Sequence, residues 1–124
     1  MRRSRLKTFS HRKKSIQKDS EGNTYPVYGP ATAFSGEAWP ASGKIQAQIY
    51  GDRLPYIYNM RISGKYEMNY SSQDKQFHYL FADTGMDLVE GDGICLFAGA
   101  DQDPDYRIVS IKPYRFLSLE VERL

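Results

Sequence analysis

The sequence predicts a mainly β fold: a small antiparallel barrel or sandwich with long loops and at most one short helix. Three observations carry that expectation. Short extended segments recur at spacings of about ten residues, separated by polar turns. Tyrosine occurs 10 times and phenylalanine 6 times, a usage that suits strands and interfaces better than helix bundles. Only Lys44 to Tyr50 has helix-like composition.

Taken in order, Arg5 to Arg12 alternates loosely through Leu6, Phe9 and His11, which reads as a first strand on a sheet edge guarded by its cations. Ser15 to Asn23 reads as a polar loop, because Asp19-Ser20-Glu21-Gly22-Asn23 supplies the residues that tolerate positive φ. Thr24 to Tyr28 is a short extended piece closed by Gly29-Pro30. Thr32 to Trp39 is a strand with Phe34, Gly36 and Ala38 on one face. Gly36 inside it marks a bulge or a close backbone approach.

The chain then leaves the sheet at Trp39-Pro40. Ser42 is placed to cap a helix from Gly43 to Tyr50, with Ile45 and Ile49 on one face, although Ile45, Ala47 and Ile49 also alternate as in a strand. Gly51-Asp52 turns the chain, and Pro55 to Ile62 is extended, with Tyr56, Tyr58 and Met60 sharing a face. The flanks of this excursion are expected to build the barrel and the excursion itself to dock.

Lys65 to Tyr70 continues that strand beyond a turn or bulge at Ser63-Gly64. Phe77 to Phe81 is a short apolar strand, and Asp87 to Gly93 is a turn leading into Ile94 to Phe97. Ala98 to Asp105 is an acidic turn. Asp105 to Ile111 places Tyr106 and Ile108 on one face and Arg107, Val109 and Ile111 on the other. Arg115 to Val121 closes the chain with Leu117, Leu119 and Val121 inward and Ser118, Glu120 and Glu122 outward, pairing as a hairpin through Lys112-Pro113-Tyr114.

A length of 124 residues fits one domain, residues 1–124, with a modest core. No apolar run approaches the roughly 20 residues that span a bilayer, and the basic start lacks the apolar block of a secretory signal. A single cysteine cannot form an internal disulfide, so a soluble cytoplasmic setting without a membrane partner is expected. The net charge of +2 hides an asymmetry. Residues 1–18 hold eight Lys/Arg and no acid, while the remainder holds nine Lys/Arg against fifteen Asp/Glu, net −6. This basic arm suits nucleic acid, an acidic protein surface or a neighbouring copy of the body. The plainer reading is a solvated terminus.

Chemistry-bearing patterns are sparse. Two histidines and one cysteine are too few for a zinc set. Cys95, within Ile94-Cys95-Leu96-Phe97, reads as a small buried hydrophobe. Asp101 to Asp105 lacks the glycine and glutamate of a calcium loop. No glycine-rich phosphate loop follows a strand. The expectation is a non-enzyme without cofactor or metal, leaving an oligomerising structural module or an OB-like barrel that binds nucleic acid through the basic arm and a tyrosine face.

Four features in order resemble the head–tail joining proteins, also called head-closure or stopper proteins, of tailed phages and prophages. They are the Asp19-Ser20-Glu21-Gly22 loop after a first strand, the Glu37-Ala38-Trp39-Pro40-Ala41-Ser42-Gly43 turn, the Gln- and Ala-rich Lys44 to Gln48, and the hairpin of Tyr106-Arg107-Ile108 with Leu117 to Arg123. The resemblance implies a β-barrel subunit of a virion neck, assembled in the bacterial host cytoplasm. Its copies would form a cyclic ring, hexameric or dodecameric, between the portal or adaptor and the tail terminator or tail tube. That ring would line or close the channel for passing double-stranded DNA. A tail-completion protein is the neighbouring alternative. Such a ring requires two different adhesive faces on each copy. The expected contact residues are Arg12, Lys13 and Lys14 on the arm, and Trp39, Lys44, Gln46, Gln48, Tyr50, Arg53, Tyr56 and Tyr58 along the excursion.

Overall fold

The computed structural model describes residues 5–124. Its centre is a closed six-stranded antiparallel barrel. In chain order the strands are β1 (Lys7–Arg12), β2 (Lys14–Lys18), β3 (Thr24–Tyr28), β4 (Thr32–Pro40), β5 (Ile57–Ile62), β6 (Glu67–Ser71), β7 (Gln76–Phe81), β8 (Met86–Leu88), β9 (Gly93–Cys95), β10 (Tyr106–Pro113) and β11 (Leu117–Arg123). Between β4 and β5 lie helix α1 (Lys44–Tyr50) and a 3-10 helix (Gly51–Tyr56). Around the barrel the order is β1-β4-β5-β11-β10-β9. Strands β2 and β3 form a separate ribbon, and β6-β7-β8 a second small sheet.

Alternation explains the barrel wall. Met60 and Ile62 of β5, Leu117, Leu119 and Val121 of β11, and Ile108 of β10 point inward and are at most 1% exposed. Burying each contributes about 1.5–3 kcal/mol against leaving it in water. Phe9 and Phe34 meet across β1 and β4, with ring centroids 5.9 Å apart. Gly36 is a close approach, since a Cβ there would stand 2.6 Å from the Arg61 carbonyl oxygen across the β4–β5 pair. Cys95 is buried on β9, as its apolar setting suggests, and burial raises its thiol pKa.

The small β6-β7-β8 sheet covers the barrel end where β5 finishes and the β10–β11 hairpin turns. Tyr79, Phe81, Met86 and Leu88 join the barrel residues in one core. The Tyr66 hydroxyl donates to the Tyr114 carbonyl in the hairpin turn, and the Ile111 amide donates to Glu90.

Several expectations are corrected. β1 is not an edge strand, because it pairs with β4 on one side and β9 on the other. The basic arm is folded from Lys7 onward, and its first four residues lie outside the described ones. Ser15 to Lys18 belongs to strand β2 (Lys14–Lys18) rather than to a loop, because β3 offers that strand five antiparallel partners. Ser42 does not cap α1: the cap is Gly43 at φ 94, a glycine conformation, and the Ser42 amide donates to Gln46 Oε1 instead. The stretch starting at Pro55 is not extended until Ile57, and Tyr56 ends the 3-10 helix, leaving Tyr58, Met60 and Ile62 as the inward set. Lys65 to Tyr70 does not prolong β5, because positive φ at Gly64 redirects the chain into the second sheet. Asp87 and Leu88, read as the start of a turn, lie with Met86 in strand β8, paired with β7. In β10 the register shifts between Ile108 and Ser110, so Ile111 returns to the core.

Candidate interaction site

The excursion between β4 and β5 lies against the outer faces of β5 and β11, and polar groups hold it there. α1 has seven residues and none is buried. Gln46 faces the barrel: its amide donates to Asn59 Oδ1 at 2.6 Å and to Glu120 Oε2 at 2.8 Å. One helical turn on, Tyr50 is half-buried beside Glu120, and burial together with that carboxylate pushes its hydroxyl pKa up to about 12. Lys112 pairs with the other oxygen of Glu120 at 3.2 Å. Burial raises the Glu120 pKa, but the bonds from Gln46 and Lys112 outweigh it and the net shift is downward.

Glu122 is the second anchor. Arg53 clasps it with two bonds of 2.7 Å, and Arg107 adds a third of 2.8 Å. These donors, Arg53 first, hold the Glu122 carboxyl down at about 2. The Arg53 guanidinium also lies 5.5 Å from the Tyr50 ring centroid. Glu120 and Glu122 therefore point out of the barrel, as the alternation of β11 requires, but not into solvent: they are 4% and 8% exposed. No buried side-chain nitrogen or oxygen among the described residues lacks a partner.

This arrangement turns the helix inside out. Gln46 and Tyr50 face the protein, while Ile45 and Ile49 face water at 74% and 63% exposure. Lys44 and Gln48 flank them, also exposed. Trp39 stands nearby with Arg61 over its ring at 5.4 Å, and Arg61 pairs with Glu37. Arg5, Lys7, Glu37, Ala38, Trp39 and Arg61 line an open cleft of about 600 Å³.

The expected contact residues thus fall into separate groups. Gln46, Tyr50 and Arg53 meet on the two glutamates. Tyr56 is exposed, with Arg123 over its ring at 5.4 Å. Tyr58 packs edge-on against Phe97 and Tyr106 at the barrel rim. The arm residues lie elsewhere. Arg12 donates to the Gly29 and Gln102 carbonyls, Lys13 pairs with Asp87, and the Lys14 backbone donates to Asp92. Arg12 and Lys13 are thus used within the chain.

A second exposed apolar surface includes Tyr70, one of the middle-third tyrosines for which an interface role is expected, but Met68 and Phe77 beside it were not singled out by the sequence. On the β6–β7 hairpin the core-facing side runs outward from Tyr79 to Met68, Tyr70 and Phe77, which are 43%, 57% and 47% exposed. Tyr70 and Phe77 pack edge to face at 5.2 Å. The signal was the apolar alternation of β7 continuing past what a barrel end can cover. Beside it, on the other face, His78 donates to Asp74 at 2.7 Å through Nε2 and faces Asp87 at 2.9 Å through Nδ1. Carboxylates at both ring nitrogens favour the doubly protonated ring and raise its pKa. Comparisons with family models, curated proteins and solved structures return no match.

Proposed function

We propose that this chain is a structural assembly module, one copy of a multi-subunit ring, and that the ring is a head–tail connector of a tailed phage or prophage. The observation that carries the reading is the inverted helix α1. Gln46, Tyr50 and Arg53 hold the excursion to the barrel, and that orientation leaves Ile45 and Ile49 in water with nothing in the monomer to cover them. A helix presented this way is a contact element held rigidly by its scaffold. The order of the Asp19, Trp39-Pro40 and C-terminal hairpin motifs supports the connector as the particular assembly.

The test is electron microscopy of particles made without this chain, using an amber stop in its gene. Filled heads that leak DNA, beside normal free tails, are the expected result. Normal tailed particles would overturn the connector role.

One observation favours a second reading, a nucleic-acid-binding barrel. The cleft at Trp39 combines an exposed ring with the cations Arg5, Lys7 and Arg61. Salt-sensitive binding of single-stranded DNA, lost on Trp39→Ala, would select that reading.

A further inference from the structure

We infer that the apolar ridge of α1 docks onto the exposed apolar face of the β6–β7 hairpin of a second copy of this chain. The inference rests on the multi-copy reading above and names the two surfaces that would meet. Both are built from large apolar side chains that the barrel leaves uncovered: Ile45 and Ile49 on one, Met68, Tyr70 and Phe77 on the other. They lie on different parts of one copy, α1 over the outer faces of β5 and β11 and the hairpin beyond the end of β5. α1 and the 3-10 helix lead into the start of β5 at Ile57, and the chain leaves its end at Ile62 for the hairpin.

Placement and charge both argue for a second copy as the occupant. Residues 39–61, which carry the ridge, hold three Lys/Arg and one Asp, net +2. Residues 63–92, which carry the hairpin, hold two Lys and six Asp/Glu, net −4. Like surfaces would repel in either homotypic pairing, ridge on ridge or hairpin on hairpin. The unlike pairing is attractive and brings an aliphatic ridge to an aromatic face. It is also head-to-tail, so each copy keeps one surface open for the next, and the contact closes into a ring or runs on as a chain.

The experiment uses the full chain and two variants, Ile49→Asp and Phe77→Asp, both at exposed positions. Sedimentation velocity over a concentration series reads self-association, and circular dichroism reads folding. Each variant alone should stay folded and bind itself at least about tenfold more weakly than the parent chain. An equimolar mixture of the two should form a one-to-one dimer and nothing larger, because each copy retains the surface its partner needs. A parent chain that is monomeric at every soluble concentration would overturn the contact. So would a mixture that stays monomeric, or one variant associating as the parent does. The particle phenotype is read separately, so a failed self-contact beside a positive amber result removes this interface and leaves the connector role standing.

Discussion

Replacing Glu122 with Gln removes the charge that clasps the excursion to the barrel. Folded Glu122 titrates at about 2, against an ordinary 4.5, because Arg53 and Arg107 donate to it. That gap of about 2.5 pH units corresponds to about 3 kcal/mol at 1.36 kcal/mol per unit. The guanidinium partners are half open to water, 53% and 47% exposed, so screening reduces the contribution to about 1–2 kcal/mol. The folded pKa is depressed, so this stability is fully present above about pH 4.5 and is lost as pH falls toward 2. Urea unfolding of parent and Glu122→Gln from pH 2 to 7 should therefore show a gap of about 1–2 kcal/mol near neutrality. The two curves should converge through the acid window. Hydrogen exchange should also quicken in residues 44–56 of the variant before it quickens in β5. A gap that stays constant from pH 2 to 7, or a variant as stable as the parent at pH 7, would refute the clasp.

Three further outcomes follow from the packing. Gly36→Ala should destabilise the fold by about 1–3 kcal/mol in urea titration, because the added Cβ meets backbone rather than a movable side chain. Asp105→Ala should cost about 1–3 kcal/mol and loosen the Ala98 to Pro104 turn in hydrogen exchange, because Asp105 accepts from the backbone amides of Leu96, Phe97 and Ala98. His78 should titrate above 6.5 by NMR, held up by Asp74 first and then Asp87. Its stabilising effect should be full below pH 6.5 and fade as pH rises through the folded pKa, and His78→Asn should flatten that dependence.

The barrel was legible where alternation is local. β4, the β10–β11 hairpin and the inward trio of β11 follow from single segments, and Gly36 announced its close approach by interrupting one. What escaped depends on partners distant in sequence. Glu120 and Glu122 occupy outward positions that read as solvent-facing, and the groups that cover them, Gln46 and Arg53, lie 74 and 69 residues earlier. β8 has three residues, too few to display a period. The β10 bulge moves Ile111 inward by one residue without a glycine to mark it. For the interaction site, the excursion was visible at Trp39-Pro40 but its orientation was not. A seven-residue helix with isoleucines four apart ordinarily turns them to the core, and only the glutamates beneath α1 reverse it.

The placement of β5 has a mechanical side. It joins the excursion at one end to the covering sheet at the other, and it is flanked by five residue pairs with β4 and six with β11. A pull between the two ends runs along the strand axis, while the inter-strand hydrogen bonds lie across it. Such a pull is carried by the covalent backbone of β5 and leaves the bonds to β4 and β11 unloaded, whereas a pull at right angles would unzip them singly. Tension between the excursion and the covering sheet therefore passes along β5 without opening the barrel wall.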